Sequence, residues 1–258
     1  MHETMTATVL SSGSCGNSIF VSSEDAGVLI DAGLSCKETE RRMSSFGFDP
    51  AMVKAIILTH EHTDHTRGVQ RFCTKYEVPV YGTDGTLSLT PLDGIRMVSI
   101  SSKDSVHVDR FMFKPFPIKH FAAEPVAFTV SIGSKKVAIA SDLGSVTTRI
   151  VDEMKDSDLV LIESNYDDDM LMHGAYPDFL KRTIRSDHGH LSNEDAGLLA
   201  SEAASERTRS VVLLHLSKEN NTPDKARETV GGRLMRSHRH VRLEVTEHGG
   251  SNGPFRLG

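Results

Sequence analysis

The chain has 258 residues, a formal net charge of -6 and 38% hydrophobic residues. A chain of this length can bury a sizeable core, so we expect one domain over residues 1–258. The acidic balance excludes a general basic surface of the kind that binds nucleic acid non-specifically, although bound cations would add local positive charge that this count omits.

The sequence shows neither a membrane anchor nor an export signal. No stretch approaches the roughly 18 apolar residues of a membrane span, and residues 1–10 lack the basic segment and apolar block of a signal peptide. Cys15, Cys36 and Cys73 are odd in number and contain no CxxC pair, which fits a reducing compartment. We therefore expect a cytoplasmic protein without a membrane partner.

The first segments predict a hairpin and a strand that ends in an aspartate. Residues 6–10 and 19–22 are predicted strands, joined by a Gly/Ser-rich turn at 11–18. Its small residues would let the backbone approach a ligand, and an ordinary turn explains them equally well. The next predicted strand, 28–33, carries Asp31 near its end.

The most informative stretch is residues 55–65, where an apolar run ends in three histidines and an aspartate. The run has the composition of a strand buried on both faces, and it turns polar where such a strand would emerge. Alternate residues of an extended chain point the same way, so His60 and His62 can bind one metal ion. Asp64 and His65 can reach a second ion beyond the turn. A solvated histidine-rich loop is the alternative interpretation.

Three later predicted strands also end in candidate metal ligands, namely His120, Asp142 and His215. Asp142 can bridge two ions, because a carboxylate has two oxygens. A further predicted strand ends in Glu163, which either supports the site or caps the following turn. The acidic run at 167–169 is predicted to be a solvated turn.

The remaining segments predict helices and one more strand. His188 and His190 precede a helix that Ser192 or Asn193 would cap. The other predicted helices cover residues 35–46, 68–76, 147–154, 176–185 and 223–235, with a last strand at 241–245.

The sequence His60-x-His62-x-Asp64-His65 after an apolar strand resembles the metal-binding motif of the metallo-β-lactamase superfamily. The resemblance implies an α+β fold of four layers, αβ/βα, in which two mixed β-sheets pack face to face and helices cover both outer faces. The predicted order of elements fits such a sandwich, because each buried strand would lie between the other sheet and the helices. The resemblance also implies that Asp31 supports the metal loop through hydrogen bonds.

Further segments resemble the YycJ/WalJ family: residues 11–14, 16–18, 189–193 and 215–223. Its members are bacterial cytoplasmic metallohydrolases related to tRNase Z and RNase J, regarded as DNA exonucleases that act from the 5′ end. The resemblance covers residues 10–227. Only 72 residues lie between Asp142 and His215, which leaves no room for the inserted β-CASP domain that RNase J carries before its last ligand.

This resemblance implies a hydrolase with two divalent metal ions, zinc or manganese, and DNA with a 5′ end as its nucleic-acid partner. The implied metal ligands are His60, His62 and His120 for the first ion, Asp64, His65 and His215 for the second, and Asp142 between them. Water between the ions would attack phosphorus. Asp64 and His190 are the implied catalytic residues; His190 would stabilise the transition state or protonate the departing oxygen.

The predicted substrate-binding residues are Ser12, Asn17, Ser217 and Asn220, which can donate hydrogen bonds to phosphate. A pocket for a terminal 5′ phosphate would make the enzyme an exonuclease. One position departs from the family, because Phe121 stands where we expect an aspartate. Its presence removes a polar group beside the first ion.

Two other functions fit the same residues. The first is a small-molecule hydrolase, such as a glyoxalase-II-like thioesterase or a lactonase, although the residues around His120 lack the His-Thr-Pro-Gly-His type of sequence associated with glyoxalase II. The second is a non-catalytic binding module stabilised by metal, which would tolerate His190→Ala.

Overall fold

The computed structural model describes residues 4–258. The strands of this part of the chain are β1 (Met5–Ser11), β2 (Ser18–Ser23), β3 (Ala26–Ile30), β4 (Val53–Ile57), β5 (Val80–Gly82), β6 (Met97–Ser99), β7 (Val106–Val108), β8 (Phe111–Pro117), β9 (Val126–Ile132), β10 (Lys135–Ala140), β11 (Leu159–Glu163), β12 (Ser210–Leu214), β13 (Arg242–Val245) and β14 (Asn252–Leu257).

The helices of the same part of the chain are α1 (Cys36–Ser45), α2 (Thr63–Thr66), α3 (Val69–Tyr76), α4 (Asp84–Ser88), α5 (Thr148–Met154), α6 (Asp168–His173), α7 (Asp178–Ile184), α8 (Asn193–Ala203) and α9 (Pro223–Ser237), with a 3-10 turn at Pro50–Met52. Among residues 4–258, no helix combines the length and the apolar composition that a membrane crossing requires.

The strands form two mixed sheets of seven strands each. The first has the order β14-β1-β2-β3-β4-β5-β6 and the second the order β13-β12-β11-β10-β9-β8-β7. In each sheet, one half is antiparallel and the other is parallel. The prediction of two mixed sheets is therefore confirmed.

Buried apolar side chains form three layers between and outside the sheets. In β3, Val28 and Ile30 face the layer shared by both sheets, while Leu29 faces α1 and α3, as the alternation of side chains along a strand requires. On the far side, α5, α8 and α9 cover the second sheet through residues such as Leu199 and Val230. Helices thus cover both outer faces, as predicted.

Two segments differ from the sequence-based expectation. The strand β14, which pairs with β1 at the edge of the first sheet, was not predicted, because Gly253 and Pro254 interrupt any strand pattern and proline is tolerated mainly at sheet edges. The solvated turn predicted at 167–169 was wrong. Asp167 instead caps α6, its side chain accepting a hydrogen bond from the Met170 amide, and the next two aspartates occupy the helix's first turn, where negative charge is favourable.

Candidate metal centre

All seven predicted metal ligands meet at one edge of the sandwich, beyond the ends of β4, β8, β10 and β12. Six of them belong to groups in which ligand atoms lie within 4.8 Å of one another: His60, His62 and His120; His60, His65 and Asp142; and Asp142, His215, Glu163 and His190. The seventh, Asp64, has Oδ2 at 3.6 Å from Nε2 of His65 and 4.0 Å from Nε2 of His215.

The first group has the arrangement that the extended chain predicts. Nε2 of His60 and Nδ1 of His62 lie 3.0 Å apart, and the ring of His120 lies 5.1 Å from each of their rings, centre to centre. His62 precedes α2, so the chain turns directly after it and carries Asp64 and His65 to the neighbouring group.

Asp142 lies between the groups. Its Oδ2 is 3.1 Å from Nε2 of His65, and its Oδ1 is 3.5 Å from Nε2 of His215 and 3.9 Å from Nε2 of His120. A single carboxylate therefore faces imidazoles from both halves of the chain. This is the position that a bridging ligand needs.

Buried acceptors fix the histidines of the first half. The Nδ1–H of His65 donates to Oδ2 of Asp31 at 2.7 Å, and Asp31 also accepts from the amide and hydroxyl of Thr59 at 2.9 and 2.8 Å. The same hydroxyl lies 2.9 Å from Nδ1 of His60. With Nδ1 engaged, each ring presents Nε2 to the centre, which fixes both tautomer and orientation. These contacts are those that a supporting role for Asp31 requires.

Glu163 fixes the histidines of the second half. Its Oε1 accepts from Nδ1 of His190 at 2.7 Å and from Nδ1 of His215 at 2.9 Å. Its Oε2 accepts from the amides of Leu143 and Leu191 at 2.8 and 3.2 Å. From the sequence, Glu163 could either support the metal site or cap the following turn. Its place at the end of a buried strand, like that of Asp142 and His215, was a signal that it lies at this edge, but not of which side chains it meets.

Burial and neighbouring charges shift the pKa values of the histidines and of the carboxylate at the site. Burial and the neighbouring His65 hold the pKa of His60 well below its ordinary value, and burial lowers the pKa of His120. Burial opposes ionisation of Asp142, but His215 and His65 outweigh it and hold the pKa of that carboxyl well below its usual range. The centre therefore combines neutral imidazoles at His60 and His120 with an ionised carboxylate at Asp142, and both kinds of group are donors in metal sites.

Two buried atoms of the centre support metal binding. Oδ2 of Asp142 and Nε2 of His215 are buried and make no hydrogen bond of good geometry with the described residues. A buried polar group without a partner costs about 1–3 kcal/mol, so such atoms are rare unless an ion or water meets them. A divalent cation at the centre would satisfy both. The residues present thus fit divalent metal ions.

A cavity of about 420 Å³ opens beside this centre. Its lining includes His190, His215, Asn165, Ser217, Lys218 and His248. Of the four predicted substrate-binding residues, Ser217 is therefore placed in the cavity. The ring of His190 stacks on that of His215 with centres 5.3 Å apart.

The other three predicted substrate-binding residues are buried and do not line this cavity. Oγ of Ser12 accepts from the His215 amide at 2.7 Å. Asn17 donates through Nδ2 to Oδ2 of Asp64 at 3.1 Å, and Asn220 is buried without a hydrogen bond for its amide group among the described residues. Their contact with substrate stays a prediction, because the observed partners of Ser12 and Asn17 are the candidate ligands themselves.

Three residues at these strand ends have left-handed backbone. Asp31, Asp142 and His215 have φ values of 60°, 53° and 56°. Non-glycine residues rarely adopt this conformation, and their concentration at one place is typical of functional sites. The conformation turns the chain at the end of each strand, where the candidate ligands and Asp31 lie.

Comparison with known proteins gives a family and several relatives. Residues 27–216 match the family model described as the β-lactamase superfamily domain. The chain is 35% identical over 229 residues to exodeoxyribonuclease YycJ of Bacillus anthracis, which covers 86% of each chain. It is 32% identical over 236 residues to exodeoxyribonuclease WalJ of Streptococcus pneumoniae, covering 89% of this chain and 88% of WalJ. The crystal structure of the metallo-β-lactamase fold protein YhfI from Bacillus subtilis has a TM-score of 0.76 at 19% identity, over 99% of this chain and 100% of YhfI.

Proposed function

The chain belongs to the β-lactamase superfamily and, within it, to the family of the exodeoxyribonucleases YycJ and WalJ; from this premise we propose that it is a metal-dependent nuclease that hydrolyses DNA from a 5′ end. The observation that carries the proposal is the position of Asp142, within 3.9 Å of imidazole nitrogens of His65, His120 and His215. Such a centre binds divalent ions beside a cavity that can accept a phosphodiester.

We assign the metal ligands as the sequence predicts: His60, His62 and His120 to one ion, Asp64, His65 and His215 to another, and Asp142 to both. Imidazoles suit zinc, and the carboxylates together with a phosphate substrate suit manganese. Two such ions, when bound, would activate water for attack on phosphorus and neutralise the charge that develops on the phosphoryl oxygens. The carboxylate of Asp64 lies beside His65 and His215, and we assign to it a second role in orienting the attacking water.

His190 is positioned to donate a proton to the departing oxygen. Its Nδ1–H donates to Glu163 at 2.7 Å, so Nε2 is the atom left for the cavity. Burial disfavours the protonated ring, but the carboxylate of Glu163 outweighs it and raises the pKa of His190. A raised pKa favours the protonated ring, which can deliver its proton from Nε2 as the bond breaks.

We assign the cavity as the binding site for the 5′ end of the nucleic acid. Ser217 and Lys218 supply a hydroxyl and an ammonium group beside His190 and His215. Both groups can bind a terminal phosphate, the hydroxyl as a hydrogen-bond donor and the ammonium through its charge. A phosphate held there would place the first phosphodiester at the metal centre, which makes cleavage start at an end.

The decisive assay tests the purified protein in the presence of manganese or zinc. The nucleic-acid substrates are 5′-phosphorylated duplex DNA, single-stranded DNA and RNA, and the alternative substrates are a thioester and a lactone. We expect nucleotides to leave DNA stepwise from the 5′ end, and a chelator to abolish the reaction. Folded Asp64→Ala and His60→Ala variants should be inactive, while Asp152→Ala, an exposed position, should match the wild type. Chelator-resistant cleavage, full activity in either site variant, or turnover of the thioester or lactone alone would overturn the proposal.

A further inference from the structure

An aromatic side chain lies exposed beside the metal centre. Phe121 is 55% exposed, and its ring centre is 5.5 Å from that of His188 at an angle of 39°. The ring is not part of the hydrophobic core, because a core position would shield it from water. Exposed aromatic rings in pairs are the surfaces on which nucleic-acid bases stack.

The loop that carries Phe121 is tied to the metal-binding loop. Its carbonyl oxygen accepts from Nε2 of His62 at 2.9 Å, and two residues later the Ala123 amide donates to Oε1 of Glu61 at 2.8 Å. Phe121 also directly follows the candidate ligand His120. The position of the ring relative to the reacting bond is therefore fixed by the centre itself.

The ring faces an open depression of about 520 Å³. Its lining includes His120, which also belongs to the metal centre, and Leu89, which is 58% exposed. The carboxylate of Glu61 is part of the same lining. A negative charge and apolar side chains disfavour a phosphate here and favour an uncharged planar group.

We propose that Phe121 and His188 form a stacking site for the base of a nucleotide next to the bond that is cleaved. The inference rests on the proposed function and adds a positioning residue to it. Every base has a flat π-face, so such a site would hold any sequence as the enzyme advances. The residue that departs from the family pattern thereby gains a role: an aromatic ring replaces the expected carboxylate.

Steady-state kinetics on single-stranded DNA with manganese test the proposal. Phe121→Leu keeps an apolar side chain but removes the ring, and it should raise KM roughly 5- to 150-fold with a smaller change in kcat. Phe121→Tyr should retain the wild-type KM, because it keeps the stacking face. The control is Phe179→Leu on α7, a position that is 65% exposed and lines neither the cavity nor the depression; it should leave KM unchanged.

An abasic site moved along the first nucleotides locates the stacked base. When the abasic site occupies the position of the stacked base, the wild type should lose as much affinity as Phe121→Leu loses on intact DNA. On this abasic substrate, Phe121→Leu should cause no further loss. Binding gives an independent readout: 2-aminopurine at the same position in a hydrolysis-resistant phosphorothioate strand should be quenched by the wild type and less by Phe121→Leu.

The two failures are distinguishable. Absence of nucleic-acid cleavage by the wild type with either metal would overturn the proposed function and the inference with it. Normal cleavage with the same KM and the same quenching in wild type and Phe121→Leu would overturn the inference alone, and so would equal penalties for abasic sites at all positions.

Discussion

The carboxylate of Asp31 lies 2.7 Å from Nδ1 of His65, and both side chains are buried. The pair links the ends of two neighbouring strands of the first sheet, because Asp31 follows β3 while His65 lies in α2 beyond β4. A hydrogen bond to a charged acceptor is roughly twice as strong as one between neutral groups. It therefore holds the ring so that Nε2 faces the centre.

Replacing Asp31 by asparagine should weaken metal binding. The amide oxygen can still accept from His65, but the charge that strengthens the bond is lost, and we expect metal affinity to fall by about 10- to 100-fold. Competition with a fluorescent chelator measures the affinity directly. Asp152→Asn, at an exposed position, is the matched control. Unchanged affinity in Asp31→Asn would show that the ring needs no such support.

Removing the ring of His190 should separate catalysis from metal binding. His190→Ala is expected to lower kcat by about 10²- to 10⁴-fold, the usual contribution of a positioned proton donor, while the bound metal stays at the wild-type level. Elemental analysis of the purified variant gives the metal content, and His240→Ala, an exposed position, serves as the control. Loss of a metal equivalent would instead identify His190 as a ligand, and an unchanged kcat would show that His190 donates no proton in the reaction.

Glu163→Gln should impair both histidines that the carboxylate holds. Its Oε1 accepts from His190 and His215, and its Oε2 accepts from two backbone amides. Glutamine offers one acceptor and one donor group, so one pair of N–H groups must face an NH₂. We expect unfolding free energy to fall by about 1–3 kcal/mol and metal affinity to drop with it. Glu202→Gln at an exposed position controls for the loss of charge; equal behaviour of the two variants would refute the role.

Metal binding should release protons from His65 and His215. Burial disfavours protonation of both rings, but Asp31 and Asp142 raise the pKa of His65 to about 10, and Asp142 and Asp64 raise the pKa of His215 well above its ordinary value. A ligating imidazole must be neutral, so at pH 7 zinc should displace about one proton from His65 and a further contribution from His215. Calorimetry in two buffers of different ionisation enthalpy counts them.

The same pKa of His65 sets a pH dependence for the metal-free protein. Its folded value, about 10, lies above the ordinary value of 6.5. The stability that the protonated ring contributes is therefore complete below about pH 6.5 and is lost as the pH rises through about 10. Denaturant unfolding across this range should show that decline, and His65→Gln should flatten it. Zero proton release at pH 7, or a rise in stability over the same range, would contradict the prediction.

The three cysteines should differ in reactivity. Cys15 is exposed, whereas Cys36 and Cys73 are buried. Burial and the hydrogen bond to Glu40 raise the pKa of Cys36 to about 11, and burial raises that of Cys73 to about 12. Since the thiolate is the reactive form, iodoacetamide at pH 8 should add one group per native chain by mass spectrometry, and none to Cys15→Ser. A second adduct on the folded protein would disprove this.

Local pattern was enough to predict most of the strands near the site and the seven candidate ligands, because these ligands follow strands whose apolar runs end abruptly. The arrangement of the strands in two packed sheets came from the resemblance to the superfamily. The role of Glu163 could not be predicted in this way. Its neighbours in sequence fit a turn cap equally well, and only the parallel pairing of β11 between β10 and β12 brings its carboxylate against two histidines. Long-range register, which no short window contains, decided this contact.

For Ser12 and Asn17, the residue type predicted that the side chain can form hydrogen bonds, but not which partners it meets. Ser12 can bind a phosphate in principle, yet its hydroxyl oxygen accepts a hydrogen bond from the His215 amide instead. The same holds for Asn17, whose amide reaches Asp64. Such partners depend on which side of the turn faces the sheet edge, and the composition of the turn does not reveal that.

The backbone conformation of Asp31, Asp142 and His215 sets a trade-off for engineering. Glycine would adopt these angles freely, whereas each side chain present costs about 1–2 kcal/mol. Glycine at Asp142 would remove this cost together with the carboxylate that faces His65, His120 and His215. Relaxing this corner of the backbone would therefore dismantle the metal centre, an exchange of activity for stability.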